Sequence, residues 1–220
     1  MVLKSRAVLI WLGAAVFTCS SMQADFVTVA QPNAAYLNNT TLAHFTDPDS
    51  TLVGAVEQSG VLLTYSNSIE ELTVPATWAT WGTTPAVESA TPRVGYTDGL
   101  SDLAIFFSKP LSTFGLEIEP GNLVPESTSV EFLSGTTPVG LITLTPSGNS
   151  GALLFAASTT TNPFTSVFIK NNESDDFAIA EQRFTVATPE PASFSLIALA
   201  LAAGPWWSGR SRRLRLTRSS

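Results

Sequence analysis

Phe114-Gly115-Leu116-Glu117-Ile118-Glu119 alternates apolar residues with small or acidic ones at a period of two. A helix would scatter Phe114, Leu116 and Ile118 around its circumference, whereas a strand puts all three on one face. The expectation is a half-buried strand, with Glu117 and Glu119 projecting together into water. Outward from it, short apolar or alternating runs recur at 61–65, 103–108, 129–133, 139–144, 152–157, 166–170 and 177–186, bounded by Gly, Pro, Asn and Ser. Val167 and Ile169 alternate with Phe168 and Lys170, and Phe177, Ile179 and Glu181 with Ala178, Ala180 and Gln182. Spacings of roughly 8 to 12 residues are those of an antiparallel sandwich or barrel. Residues 68–74 read as a strand or a short helical turn, and no stretch of the body carries a capped 3.6-residue stripe. The predicted fold is an all-β, antiparallel β-sandwich of jelly-roll or lectin-like type, over residues 25–187.

The two ends carry signals of another kind. Lys4 and Arg6 precede an apolar stretch over 7–17 and then small or polar residues to Ala24, the three-part layout of a secretory signal peptide, with cleavage expected after Ala24. At the other end, Pro189-Glu190-Pro191 is followed by an uncharged run over 192–207 and then by Arg210, Arg212, Arg213, Arg215 and Arg218. A basic cluster held on the cytoplasmic side stops such a run in the membrane, so both ends place residues 25–187 outside the inner membrane. At ~1.5 Å per residue the 16 residues span about 24 Å, short of a ~30 Å hydrocarbon core, which makes the segment a marginal permanent anchor.

The combination over 188–218 resembles the PEP-CTERM sorting signal of Gram-negative exported proteins. The resemblance implies recognition by an exosortase near Pro189, Glu190 and Pro191, with Arg210, Arg212, Arg213 and Arg215 as the cytoplasmic stop. It further implies passage through the Sec export machinery, a helix in the inner membrane with the body periplasmic, and then a place at the cell surface, in the envelope or in the extracellular polysaccharide of a biofilm. The Pro205-Trp206-Trp207 end departs from the usual leucine and glycine. A second likeness rests on Phe114-Gly115-Leu116-Glu117, Phe132, Gly140, the stretch 151–157, Pro163-Phe164 and the stretch 176–180. It resembles a recurring β-sandwich body among PEP-CTERM proteins, and implies architecture without a site.

Charge and cysteine content exclude several functions. The whole chain is at −7, but 25–188 holds four basic residues against seventeen acidic ones, a net −13. Such a body repels nucleic acid and attracts divalent cations or basic partners. The one cysteine of the chain, Cys19, lies in the expected signal peptide, so the body has neither a disulfide nor a thiolate nucleophile.

Few residues point to chemistry. His44 is the sole histidine, and no Gly-x-Ser-x-Gly elbow or phosphate-binding glycine loop occurs. Glu117 with Glu119, or Glu70 with Glu71, supply the two carboxylates of a glycoside hydrolase, against the simpler reading of a solvated strand face. Asp47 and Asp49 in Asp-Pro-Asp-Ser, and Asp98 and Asp102 around Gly99, are candidate calcium ligands, or else Asx-type turn residues. Trp78 and Trp81, in a segment bracketed by Pro75 and Pro85, with Tyr96 beyond, either stack on sugar rings or plug an open end of the sandwich. The function expected is an exported, non-catalytic structural or adhesive protein. A carbohydrate-binding module is the first alternative and a glycoside hydrolase the second.

Overall fold

The computed structural model describes residues 25–173 and 176–188. The expected signal peptide, the sorting motif Pro189-Glu190-Pro191, the apolar run and the arginine cluster lie outside the described residues. Within them the chain is all-β and antiparallel, apart from one short helix, and no helix is long and apolar enough to cross a membrane.

Eleven strands follow in order: β1 (Val27–Val29), β2 (Thr41–Ala43), β3 (Leu52–Gln58), β4 (Val61–Thr73), β5 (Arg93–Tyr96), β6 (Asp102–Pro120), β7 (Thr128–Ser134), β8 (Thr137–Leu144), β9 (Leu153–Ser158), β10 (Phe164–Asn171) and β11 (Phe177–Val186). Helix α1 (Ala34–Asn39) sits between β1 and β2; the Asn33 side chain accepts the Tyr36 N–H at its start, as an N-cap does. Residues 68–74, ambiguous in sequence, mostly belong to the long β4.

The strand order follows from two long strands that serve two layers. The first half of β6 pairs with β4 through Ile105↔Tyr65 and with β10 through Ile105↔Val167, while its second half pairs with β9 through Leu116↔Phe155 and with β11 through Ile118↔Ile179. β4 likewise meets β6 over 63–65 and β5 over 70–73. The first layer therefore runs β3-β4-β6-β10-β7-β8. The second is built from β1-β9-β6-β11, with β5 and β2 on the far side of β11 and the end of β4 beyond β5. The sequence breaks at Lys109-Pro110, because proline cannot donate to a ladder. The chain instead passes through as one strand: the β10 register jumps from Phe164↔Leu111 to Ser166↔Phe106, a bulge that absorbs the proline and turns β6 from one layer to the other.

One core lies between the layers. Leu63, Ile105, Phe132 and Val167 from the first face Leu116, Ile118, Phe155, Ile179 and Phe184 from the second, all buried. The alternation of Phe114, Leu116 and Ile118 is thus a core face, as expected. Along β11 the expected parity fails. Glu181 takes a left-handed backbone (φ 46°) at a register shift between Ala180 and Arg183, so Gln182 turns inward and donates to the Tyr65 hydroxyl at 2.7 Å.

Candidate functional site

The two layers differ in what covers their outer faces. Glu117 and Glu119 point away from the core, as their parity requires, but they are not in water: both are fully buried. Residues 74–92 lie over them as a strap that contains Trp78 and Trp81. The Trp81 indole N–H donates to Glu117 at 3.0 Å and the Glu88 backbone N–H donates to its other oxygen at 2.5 Å. The Trp78 indole donates to Glu119 at 2.9 Å, joined by the Thr80 hydroxyl at 3.0 Å and the Ser150 N–H at 3.1 Å. The solvated carboxylate pair expected from sequence is therefore a buried fastening. Alternation says that two faces exist, but not what the rest of the chain lays over the second.

A charged cluster continues from Glu117. Arg183 donates to Glu88 at 2.5 and 2.6 Å, and Glu181 lies beside them. Burial pushes Glu117 up to about 8 against the donors from Trp81 and Glu88, and burial with repulsion from Glu88 pushes Glu181 up to about 7. Burial also raises Glu119. Glu181, His44, Phe45 and Arg93 line a cavity of about 80 Å³ where β2 and β5 part along β11.

Of the aromatic candidates, the structure brings two together. Trp78 and Tyr96 pack with ring centroids 5.2 Å apart, both half-buried, and the Tyr96 hydroxyl donates to Asp176 at 2.9 Å. Burial, with the Asp176 hydrogen bond, holds that phenol at about 12. Trp81 is buried in a small cluster with Val87, Ala178 and Ala180 on the outer face of the second layer, so it neither presents a platform nor plugs an open end of the sandwich.

The calcium candidates do not converge. The Asp49 carboxylate is taken by Thr73 at 2.7 Å, Thr77 at 3.0 Å and Arg93 at 3.2 Å, and the Asp47 carbonyl also accepts from Arg93. Its bond from Thr73, with Thr77 and Arg93 beside it, holds Asp49 below the usual carboxylate range. Asp98 is exposed in a left-handed turn (φ 43°) and Asp102 is exposed at the start of β6. Among the described residues no three acidic or histidine side chains gather as a metal set. Glu71, beside Glu70, is buried and bound to Arg93 at 3.1 Å, a salt bridge.

The outer face of the first layer is open, and sequence reasoning missed it. Registers place Thr64, Phe106, Ser166 and Leu133 in one row across β4, β6, β10 and β7, and Ala104, Phe168, Glu131 and Leu141 in the next across β6, β10, β7 and β8. Phe106 is 51% exposed, Phe168 37%, Leu62 39% and Leu141 59%, more than their apolar surface favours. Phe106 and Phe168 are diagonal neighbours on adjacent strands, about 7–8 Å apart at this spacing. The signal was present: Leu103, Ile105 and Phe107 claim the inward parity and leave Phe106 outside, as Val167 and Ile169 leave Phe168.

No protein-family model and no curated protein matches the chain. Among solved structures, it is similar to a mutant family 29 carbohydrate-binding module at 7% identity and a TM-score of 0.28, over 76% of this chain and 98% of that one. It is also similar to the family 11 carbohydrate-binding module of Clostridium thermocellum, solved with a β-1,3-1,4-mixed-linked tetrasaccharide, at 11% identity and a TM-score of 0.26, over 75% of this chain and 98% of that one. Likenesses at these values assign neither a ligand nor a site.

Proposed function

We propose that the chain is an exported, non-catalytic protein of the cell envelope or extracellular matrix, and that its domain adheres to polysaccharide through the open face of the first layer. The observation that carries this reading is the pair Phe106 and Phe168, exposed side by side on a sheet face that nothing among the described residues covers. Flat rings on a rigid sheet present apolar area at little entropic cost, and the faces of pyranose rings are apolar. Thr64, Ser129, Glu131 and Lys170 border the rings and supply hydrogen bonds to hydroxyls. The net charge of −13 favours a neutral glycan over an anionic one.

Delivery rests on the resemblance of 188–218 to a PEP-CTERM signal, with an exosortase acting near Pro189, Glu190 and Pro191 after export. Affinity electrophoresis through gels carrying neutral polysaccharides tests the adhesive part. Retardation of the wild type, lost in F106A/F168A, supports it, and equal mobility of both with and without polysaccharide contradicts it. The intact mass of the protein from cells with and without an exosortase tests the sorting part. A product ending near Pro189 only when the enzyme is present supports it, and full-length chain in both contradicts it.

A further inference from the structure

Helix α1 lies on the outer face of the second layer, and beside it is a hollow of about 220 Å³. Its floor follows from register. Ser158, Thr113 and Thr185 are cross-strand partners on β9, β6 and β11, and the residues next to them, Ala157, Phe114 and Phe184, point into the core. All three hydroxyls therefore share the outward face. Asn33, Asn39 and Thr40, at the two ends of the helix, form one wall, and Val29 of β1 borders it.

That wall is fixed in place. Gly115 lets the helix sit close on β6 and β9. The Thr185 hydroxyl donates to the Asn39 carbonyl at 2.6 Å, the Thr40 hydroxyl donates to the Tyr36 carbonyl at 2.6 Å, and Arg183 donates to the Leu37 and Thr40 carbonyls, each at 3.2 Å. A site built this way loses little freedom when it binds. What its residues leave over is neutral and of both polarities. Asn33 Oδ1 accepts the Tyr36 N–H and leaves the amide hydrogens, while the Asn39 amide donates to the Ala35 carbonyl and leaves the oxygen. The Thr113 and Ser158 hydroxyls have no partner among the described residues, and each can donate and accept. None of the described residues lining the hollow is charged, so nothing there compensates an ion taken out of water. Hydroxyl groups, which also donate and accept, complement this set.

We propose that the hollow between α1 and the Ser158–Thr113–Thr185 row binds the terminal residue of a neutral glycan, or a free neutral sugar, on the face opposite to Phe106 and Phe168. The choice of a sugar among polyhydroxylated ligands rests on the adhesive reading of the first layer; the neutral, hydroxyl-binding chemistry does not. The volume is below the about 300–1,000 Å³ of sites for larger ligands and suits one ring. The hollow thus takes a chain end, while the flat first layer takes the length of a chain. Long polysaccharides carry few ends, so their retardation of the protein reports the first layer alone.

Equilibrium dialysis of the full chain in detergent against labelled neutral tetrasaccharides of glucose, mannose or galactose tests the site. The wild type is expected to bind two per chain, and T113V/S158A and F106A/F168A one each. Should T113V/S158A not fold, A35W serves, since Ala35 is an exposed residue at the rim and the larger ring fills the hollow. Displacement of the tetrasaccharide from F106A/F168A by the free monosaccharide supports a site for the sugar itself, and retention supports a site for the chain end. One tetrasaccharide per wild-type chain, lost in F106A/F168A and kept in T113V/S158A, would overturn the hollow and leave the adhesive face standing. One per chain, lost only in T113V/S158A, would keep the hollow and overturn the face. No binding of any of the three would overturn both.

Discussion

The Trp81 indole nitrogen lies 3.0 Å from a Glu117 carboxylate oxygen, 36 positions away in sequence and fully inside the protein. This bond and its neighbour from Trp78 to Glu119 turn a loop into a third layer over one sheet. Replacing Trp81 by Phe removes the donor and leaves a buried carboxylate oxygen unmet, at a cost of about 1–3 kcal/mol. Trp78→Phe is expected to cost less, because that ring is half-exposed and Glu119 keeps donors from Thr80 and Ser150. Urea denaturation of both variants checks the order.

Glycine at 115 is a packing requirement and not a turn. A Cβ there would meet the Ala156 Cβ at 2.3 Å and the Tyr36 hydroxyl at 2.4 Å, so α1 can sit on β6 and β9 only if position 115 has no side chain. Gly115→Val is expected to destabilise by about 1–3 kcal/mol through overpacking. Its signature in hydrogen exchange is loss of protection centred on α1.

Arg93 holds two carboxylates, Glu71 at 3.1 Å and Asp49 at 3.2 Å. Arg93→Ala leaves Glu71 buried without its cation. Loss of a fully buried pair costs several kcal/mol, and the partial exposure of Arg93 reduces this to about 2 kcal/mol. Because Arg93, Thr73 and Thr77 already fill the Asp49 oxygens, a chelator is expected to leave the melting temperature unchanged. A fall on chelation would revive calcium at Asp47 and Asp49.

Asp25 ties the first strand to the fold. Its carboxylate accepts from Thr159 at 3.2 Å, from the Thr160 N–H at 2.9 Å and hydroxyl at 2.5 Å, and from Thr161 at 3.3 Å. These bonds, Thr160's above all, hold it well below its ordinary 3.8. The stabilisation is present above that ordinary value and is lost as pH falls below it toward the folded value. Exchange protection of β1 against β9 is expected to drop in strong acid, and Asp25→Asn to show the same drop at neutral pH.

The fold was legible where strands alternate. The eight runs read from sequence fall on β4, β6 to β11, with 103–108 and 114–119 merging across Lys109-Pro110. β1, β2, β5 and α1 were missed because they are short or, like Val94 and Gly95, buried on both faces without alternation, and the seven-residue β3 because a register shift between Val53 and Ala55 breaks its alternation at Gly54. The candidate site was half legible. Trp78 and Tyr96 do meet, but Trp81 goes inside, because periodicity cannot report that the strap carrying it closes over Glu117. Phe106 and Phe168 could have been found by asking which aromatic residues occupy the solvent parity.

Hydroxyl-radical footprinting with and without a neutral polysaccharide tests the open face most directly, since each residue reports for itself. The account predicts that Phe106, Phe168 and Leu141 become protected while Trp78, Tyr96 and the buried Trp81 are unchanged. Protection confined to Trp78 and Tyr96, or no protection with any polysaccharide, would contradict it.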